Sequence, residues 1–193
     1  MARRGPALRF PAELLLQAQG IKLLFLDVDG VLTDGGIYYA ETPAAHPGGA
    51  AAETIKRFHT LDGYAVRLLH RAGITPVVIT GRDSLALRAR LETLDISQAY
   101  FAVENKLAVG RQVLRELGLD WRDAAAIGDD WPDLGLMLAC AFSGAPANAH
   151  VEVRSLAHHV TKARGGDGAL REFADLLLVA SGRYAALLSE ECG

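Results

Sequence analysis

The stretch Lys22-Leu23-Leu24-Phe25-Leu26-Asp27-Val28 constrains the fold more than any other part of the chain. Its apolar residues follow one another without the alternation of a strand that has one wet face, so both faces must be buried. A strand covered on both sides belongs in the middle of a parallel sheet, with helices returning the chain over each face. The remaining sequence keeps that rhythm. Further strand patterns run over 74–80, 99–103, 124–128, 141–143 and 158–161. Helical patterns lie between them at 63–71, 84–94, 106–117 and 134–139, then at 169–180 with a continuation over 183–191. Gly73 and Gly118 stand where helix C-caps belong. The expectation is an α/β fold, a parallel sheet flanked by helices, in a single domain over residues 1–193.

One segment breaks the alternation. Residues 36–40 and 53–58 read as strands around a Pro/Gly/Ala-rich loop at 41–52, which makes a β-hairpin inserted after the first strand. A formal charge of −3 gives no overall attraction to nucleic acid or to an anionic membrane, so neither partner is expected. Cys140 and Cys192 lack metal-ligand spacing, and Cys140 reads as a small core residue. No apolar run is long enough for a signal-peptide core or a membrane span, so the expected location is the cytoplasm.

Polar residues gather where the strand patterns end. The first strand runs into Asp27-Val28-Asp29-Gly30-Val31-Leu32-Thr33-Asp34, and the second into Thr80-Gly81-Arg82-Asp83. Glu104-Asn105-Lys106 follows the third, and Gly128-Asp129-Asp130-Trp131-Pro132-Asp133 the fourth. In open α/β sheets the carboxyl ends of parallel strands form the ligand crevice, so four segments deliver these side chains to one place. Asp27, Asp29, Asp129 and Asp133 would there repel one another unless a cation compensates. Lys106 supplies one charge. A carboxylate set without His or Cys suits a hard divalent ion, which points to Mg²⁺. On a strand Asp27 and Asp29 share a face, although a turn beginning at Gly30 can separate their roles.

In order, spacing and strand context these segments resemble the four motifs of the haloacid dehalogenase superfamily. The resemblance covers the chain from about Lys22 to Leu178. It implies that Asp27 is a nucleophile forming an aspartyl-phosphate and that Asp29 is the general acid and base. It also implies that Thr80 and Lys106 hold the transferring oxygens, and that Mg²⁺ is bound by Asp27, the Asp29 backbone carbonyl and Asp129. Asp133 is assigned to orienting Lys106 and the ligands, while Asp130 is either an orienting group or a helix-start carboxylate. His158-His159 reads as a strand with one ring exposed, and Trp121 and Trp131 as packing residues.

Within the superfamily, the chain is similar to the 3-deoxy-D-manno-octulosonate 8-phosphate phosphatase family. The likeness rests on Asp27 to Gly35, Phe58-x-x-x-Asp62-Gly63, Ile79-Thr80-Gly81-Arg82, Asn105-Lys106, Gly128-Asp129-Asp130 and Gly165-Gly166-Asp167-Gly168-Ala169-x-Arg171-Glu172. It implies a minimal hairpin cap at 34–58, hydrolysis of that sugar acid phosphate for lipopolysaccharide synthesis, and a homotetramer. It further implies a substrate pocket of His59, Thr60, Leu61, Asp62, Gly63, Arg67, Arg82, Arg90 and Lys106. In the family the glycine-rich segment, here 162–168, reaches a neighbouring site. Some relatives carry a basic residue where this chain has Leu61, so the sugar could instead be a nine-carbon 2-keto acid. A receiver-type signalling module would place an adjacent acidic pair on its first strand, which Asp27-x-Asp29 does not. A domain serving assembly alone would be expected to lack Asp27 or Asp29.

Overall fold

The structure is a computed structural model that describes residues 6–39 and 53–192. Its strands are β1 (Leu23–Leu26), β2 (Tyr38–Tyr39), β3 (Glu53–Ile55), β4 (Thr75–Ile79), β5 (Ala99–Tyr100), β6 (Ala124–Ile127), β7 (Phe142–Ala145) and β8 (His159–Val160). Its helices are α1 (Ala12–Gln17), α2 (Thr60–Ala72), α3 (Leu85–Thr93), α4 (Lys106–Leu117), α5 (Trp131–Ala139), α6 (Val151–Leu156), α7 (Ala169–Ala180) and α8 (Tyr184–Glu191). Six strands form one parallel sheet in the order β5-β4-β1-β6-β7-β8. Strand β1 is central, as its unbroken apolar run requires: Leu24 and Leu26 enter the core on one face, Leu23 and Phe25 the core on the other. The chain leaves β1 for β4 on one side and later returns to β6 on the other. A crevice therefore opens at the carboxyl end of β1, where the connections diverge.

Both expected C-cap glycines end their helices in the left-handed region, Gly73 at φ 78° and Gly118 at φ 65°. Two helices begin three residues earlier than their apolar pattern. Helix α2 starts after His59, whose ring Nδ1 accepts from the Leu61 N–H. Helix α5 starts after Asp130, in a reciprocal capping box with Asp133. In both cases polar caps, which carry no periodicity, set the boundary. Helices α1 and α6 were not expected from the sequence. Each has six residues, too few to show an amphipathic repeat.

The inserted segment pairs Tyr38 with Ile55, and an isolated antiparallel bridge joins Thr33 to Phe58. The expected strands at 36–40 and 53–58 are thus shorter than the sequence suggested, and the expected loop at 41–52 lies outside the described residues. Among the described residues no helix is long and apolar enough to cross a membrane. Cys140 is buried, as expected of a core residue.

Candidate active site

Four chain segments meet at the carboxyl end of β1. Asp27 follows β1 directly and is buried, its backbone N–H donating to the Ile127 carbonyl at 3.1 Å. Lys106 begins α4, where the Asn105 side chain caps the helix through the Ala108 N–H at 3.0 Å. Its ammonium donates to Asp27 Oδ1 at 2.5 Å and to Asp133 Oδ1 at 2.6 Å. Asp133 Oδ2 in turn accepts the backbone N–H groups of Asp129 and Asp130 at 3.1 and 3.3 Å. Both Asp133 oxygens are thereby engaged, in keeping with an orienting role. Carboxylate oxygens of Asp27, Asp129 and Asp133 lie within 4.8 Å of one another.

Close packing makes this cluster possible. Gly30 turns the chain at φ 89°, and a Cβ there would stand 2.0 Å from Asp129 Oδ2. A Cβ on Gly128 would fall 2.3 Å from that of Asp133. Glycine thus serves the approach of the carboxylates at both positions, and at Gly30 also the left-handed turn.

The electrostatics call for a cation. Burial, reinforced by Asp27 and Asp133, pushes the Asp129 carboxyl up to about 8. Burial and Asp133 raise Asp27 to about 6 against the opposing pull of Lys106. Burial alone would lower the Lys106 ammonium, but Asp27 and Asp133 outweigh it and hold the group above its ordinary value. One ammonium does not neutralise three crowded carboxylates. Oxygen donors without His or Cys fit a hard divalent ion such as Mg²⁺, chiefly on Asp27 and Asp129.

The other expected residues divide into groups. Thr80 directly follows β4 and is buried; its hydroxyl oxygen accepts the Arg82 N–H at 3.2 Å, which leaves the hydroxyl proton to donate. The Asp29 side chain lies outside the three-carboxylate cluster and forms an ion pair with Lys56, with Arg82 Nε 3.7 Å from its other oxygen. Thr60, Gly63, Arg67 and Arg90 line one groove of about 290 Å³ with Tyr64, Thr93 and Leu94. Arg90 packs over Gly63, where a Cβ would meet its Nη2 at 2.3 Å, and its guanidinium lies 5.8 Å from the centre of the Phe58 ring. Leu61 is half exposed, and His59 caps α2.

Two expectations change. Asp62 is buried away from the groove, accepting the N–H groups of Gly168 and Arg171 at 3.1 and 2.9 Å. It anchors the start of α7, whose N-cap Gly168 offers no side chain for the task. Trp131 is not a packing residue: it is 61% exposed, with Nε1 donating to His150 Nδ1 at 3.0 Å. As the first residue of α5, beside the Asp130 cap, it projects from the molecule. Trp121 does pack, 6.4 Å from the Phe25 ring. Asp130 caps α5 through the Trp131 N–H at 2.8 Å, which resolves its two readings in favour of the helix start.

Lys56 and Arg57 escaped the sequence reading. Strand parity carried a signal for Lys56, because it shares a face with Phe58 and so points inward. Arg57 takes the opposite face and pairs with Asp167 at 2.6 Å and Asp34 at 3.6 Å. Asp167 belongs to the glycine-rich segment, which packs tightly on the loop after β1: a Cβ on Gly165 would lie 1.7 Å from the Gly30 carbonyl oxygen. Gly165 N–H also donates to Asn148 Oδ1 at 2.7 Å.

The chain is similar to known proteins. A family model described as haloacid dehalogenase-like hydrolase matches residues 102–173. The 3-deoxy-D-manno-octulosonate 8-phosphate phosphatase of Escherichia coli is 38% identical over 172 residues, covering 89% of this chain and 87% of its own. The Moraxella catarrhalis phosphatase of the same name, solved with magnesium, phosphate and KDO, superposes with a TM-score of 0.84. It is 32% identical, and the match covers 92% of this chain and 97% of that one. A cobalt-bound Haemophilus influenzae phosphatase gives a TM-score of 0.79 at 36% identity, covering 87% and 93% of the two chains.

The raised Asp129 carboxyl makes a prediction about the metal-free protein. The folded state holds this proton more tightly than the unfolded chain, whose ordinary value is 3.8. Its contribution to stability is complete below that value and is lost as pH rises towards about 8. Asp129→Asn removes the loss. In EDTA at pH 8 the variant melts above the wild type, whereas near pH 4 the two melt together. Added Mg²⁺ stabilises only the wild type. Calorimetric scans across pH check this; a variant melting below the wild type at pH 8 in EDTA contradicts it.

Proposed function

Because the chain belongs to the 3-deoxy-D-manno-octulosonate 8-phosphate phosphatase family of haloacid dehalogenase-like hydrolases, we propose that it hydrolyses this sugar acid phosphate to the free sugar acid and phosphate. The observation that carries the reading is the convergence of Asp27, Asp129 and Asp133 around Lys106 at the end of the central strand. As the relatives' substrate implies, the reaction serves lipopolysaccharide precursor synthesis.

In the proposed reaction Asp27 attacks phosphorus, and the bond from phosphorus to the sugar oxygen breaks as the Asp27–phosphorus bond forms. Asp29 gives a proton to the departing oxygen. It then takes one from the water that attacks phosphorus, breaks the Asp27–phosphorus bond and releases phosphate. Lys106 and the Thr80 hydroxyl donate to the transferring oxygens. Asp133 keeps Lys106 aimed at Asp27. Mg²⁺ held by Asp27, the Asp29 carbonyl and Asp129 would neutralise phosphoryl charge and lift the repulsion between carboxylate and substrate. Arg67 and Arg90, together in one groove with Thr60 and Gly63, suit the substrate carboxylate, with His59 and Leu61 at the same helix start and Arg82 near Asp29. Asp62 takes an indirect part, by setting the glycine-rich segment against α2.

We further propose a single domain over 1–193 that works as a homotetramer in the cytoplasm. Both cysteines are free thiols, which suits a reducing compartment. Ile37, Tyr38 and Ile55 are 42%, 45% and 58% exposed on the short hairpin. Such apolar surface favours association, and a neighbouring subunit would close a crevice that the hairpin alone leaves wet.

Two measurements test these readings. On a panel of sugar phosphates with Mg²⁺, kcat/KM is highest for the eight-carbon 2-keto acid phosphate, and EDTA abolishes turnover. Equal efficiency on neutral sugar phosphates, or preference for a nine-carbon acid, overturns the substrate assignment. Light scattering returns the mass of four chains, and Ile55→Glu gives smaller, less active species. A wild-type monomer with full activity overturns the assembly.

A further inference from the structure

Lys56 forms a contact that the proposed reaction leaves unexplained. Its side chain is 1% exposed, although lysine is among the residues least often buried, and its ammonium donates to Asp29 Oδ1. Two links hold it there. The returning strand of the hairpin bridges Phe58 to Thr33, two residues beyond Lys56. Thr33 in turn braces the loop that carries Asp29: its hydroxyl donates to the Val28 carbonyl and accepts the Gly30 and Gly35 N–H groups, each at 3.3 Å. On the opposite face of the strand Arg57 is clamped by Asp167 at 2.6 Å. Strand and loop are therefore stitched together on both sides of the Lys56–Asp29 pair.

We infer that Lys56 is a positioning residue for Asp29, holding its carboxyl group clear of the three-carboxylate cluster and in line with the departing oxygen. The inference rests on the phosphatase reading above. The geometry supplies the reason. Asp29 stands two residues from Asp27, and an unrestrained aspartate side chain there could rotate towards a bound cation or into solvent. Lys56 fixes one oxygen through a buried, charge-assisted hydrogen bond. The second oxygen, with Arg82 Nε at 3.7 Å, remains to exchange the proton. When the Asp27–phosphorus bond forms and the bond from phosphorus to the leaving oxygen breaks, that proton passes from Asp29 to the leaving oxygen. A misplaced Asp29 cannot deliver it, so the cost of losing Lys56 depends on how much the leaving group needs a proton.

The test is a leaving-group series. Aryl phosphates from 4-nitrophenyl to phenyl bind alike but leave as increasingly basic oxyanions. The ratio kcat/KM reports the steps up to departure of the leaving group and excludes hydrolysis of the phospho-enzyme. For Lys56→Met with Mg²⁺, kcat/KM falls by less than about threefold on 4-nitrophenyl phosphate and by roughly 30-fold or more on phenyl phosphate. Lys56→Arg recovers most of the loss on phenyl phosphate. In an Asp29→Asn background Lys56→Met costs nothing further, because the group it positions can no longer give up a proton. A loss of equal size across the series overturns the inference and marks Lys56 as structural. A loss confined to the sugar acid phosphate overturns it too, in favour of direct substrate contact. If the wild type turns over no phosphomonoester in the panel, the phosphatase reading falls and takes the inference with it.

Discussion

One ammonium group organises the crevice. Lys106 is almost fully withdrawn from water, as are the Asp27 and Asp133 carboxylates it joins. A buried charge without a partner costs several kcal/mol, so both carboxylates depend on Lys106, and its loss would strand two buried charges at once. The pairing reaches across the sheet. Asp27 follows β1, Lys106 opens α4 and Asp133 lies in the first turn of α5, so the bridge ties the end of the central strand to the starts of two later helices. Asp133 carries it one step further through the N–H groups of Asp129 and Asp130, which sets Asp129 opposite Asp27. The arrangement leaves net negative charge in a dry place. That imbalance favours a divalent ion; burial first, and then the neighbouring Asp27 and Asp133, raise the Asp129 carboxyl to about 8.

Around this bridge the packing is tight wherever backbone meets functional side chain. Gly30 and Gly128 admit Asp129 and Asp133, and Gly165 admits the carbonyl of Gly30. The glycine-rich segment is thus seated on the loop after β1. It is seated a second time by Asp62, whose buried carboxylate takes the first N–H groups of α7. Through Arg57 and Asp167 the stem of the hairpin joins the same assembly. Cap stem, loop and helix start therefore form one connected body beside the three-carboxylate cluster. The aspartate expected to move protons sits at its centre.

Much of this was legible in the sequence, for reasons that can be named. The buried run of β1 and its strand-end aspartates sit on regular structure, where parity and spacing translate directly into position. Lys106 was legible because the helical pattern over 106–117 places it at a helix start, just after the third strand. Asp62 was misjudged because its neighbours in sequence face the groove, while its partners, Gly168 and Arg171, lie more than a hundred residues away. Trp131 was misjudged because the capping box extends α5 backwards past its apolar pattern, so a large ring taken for core stands at the surface. Lys56 was passed over because strand parity turns it inward without naming the partner it meets there. Only the bridge between Thr33 and Phe58 brings it to Asp29.

The central claim is that Asp27 receives the phosphoryl group. Acid quenching during steady turnover of the sugar acid phosphate, followed by reduction with tritiated borohydride, converts an acyl phosphate at an aspartate into labelled homoserine. Peptide mapping then locates it. The account predicts label at residue 27, dependent on Mg²⁺ and on substrate. Label at any other position, or turnover without label at residue 27, would contradict it.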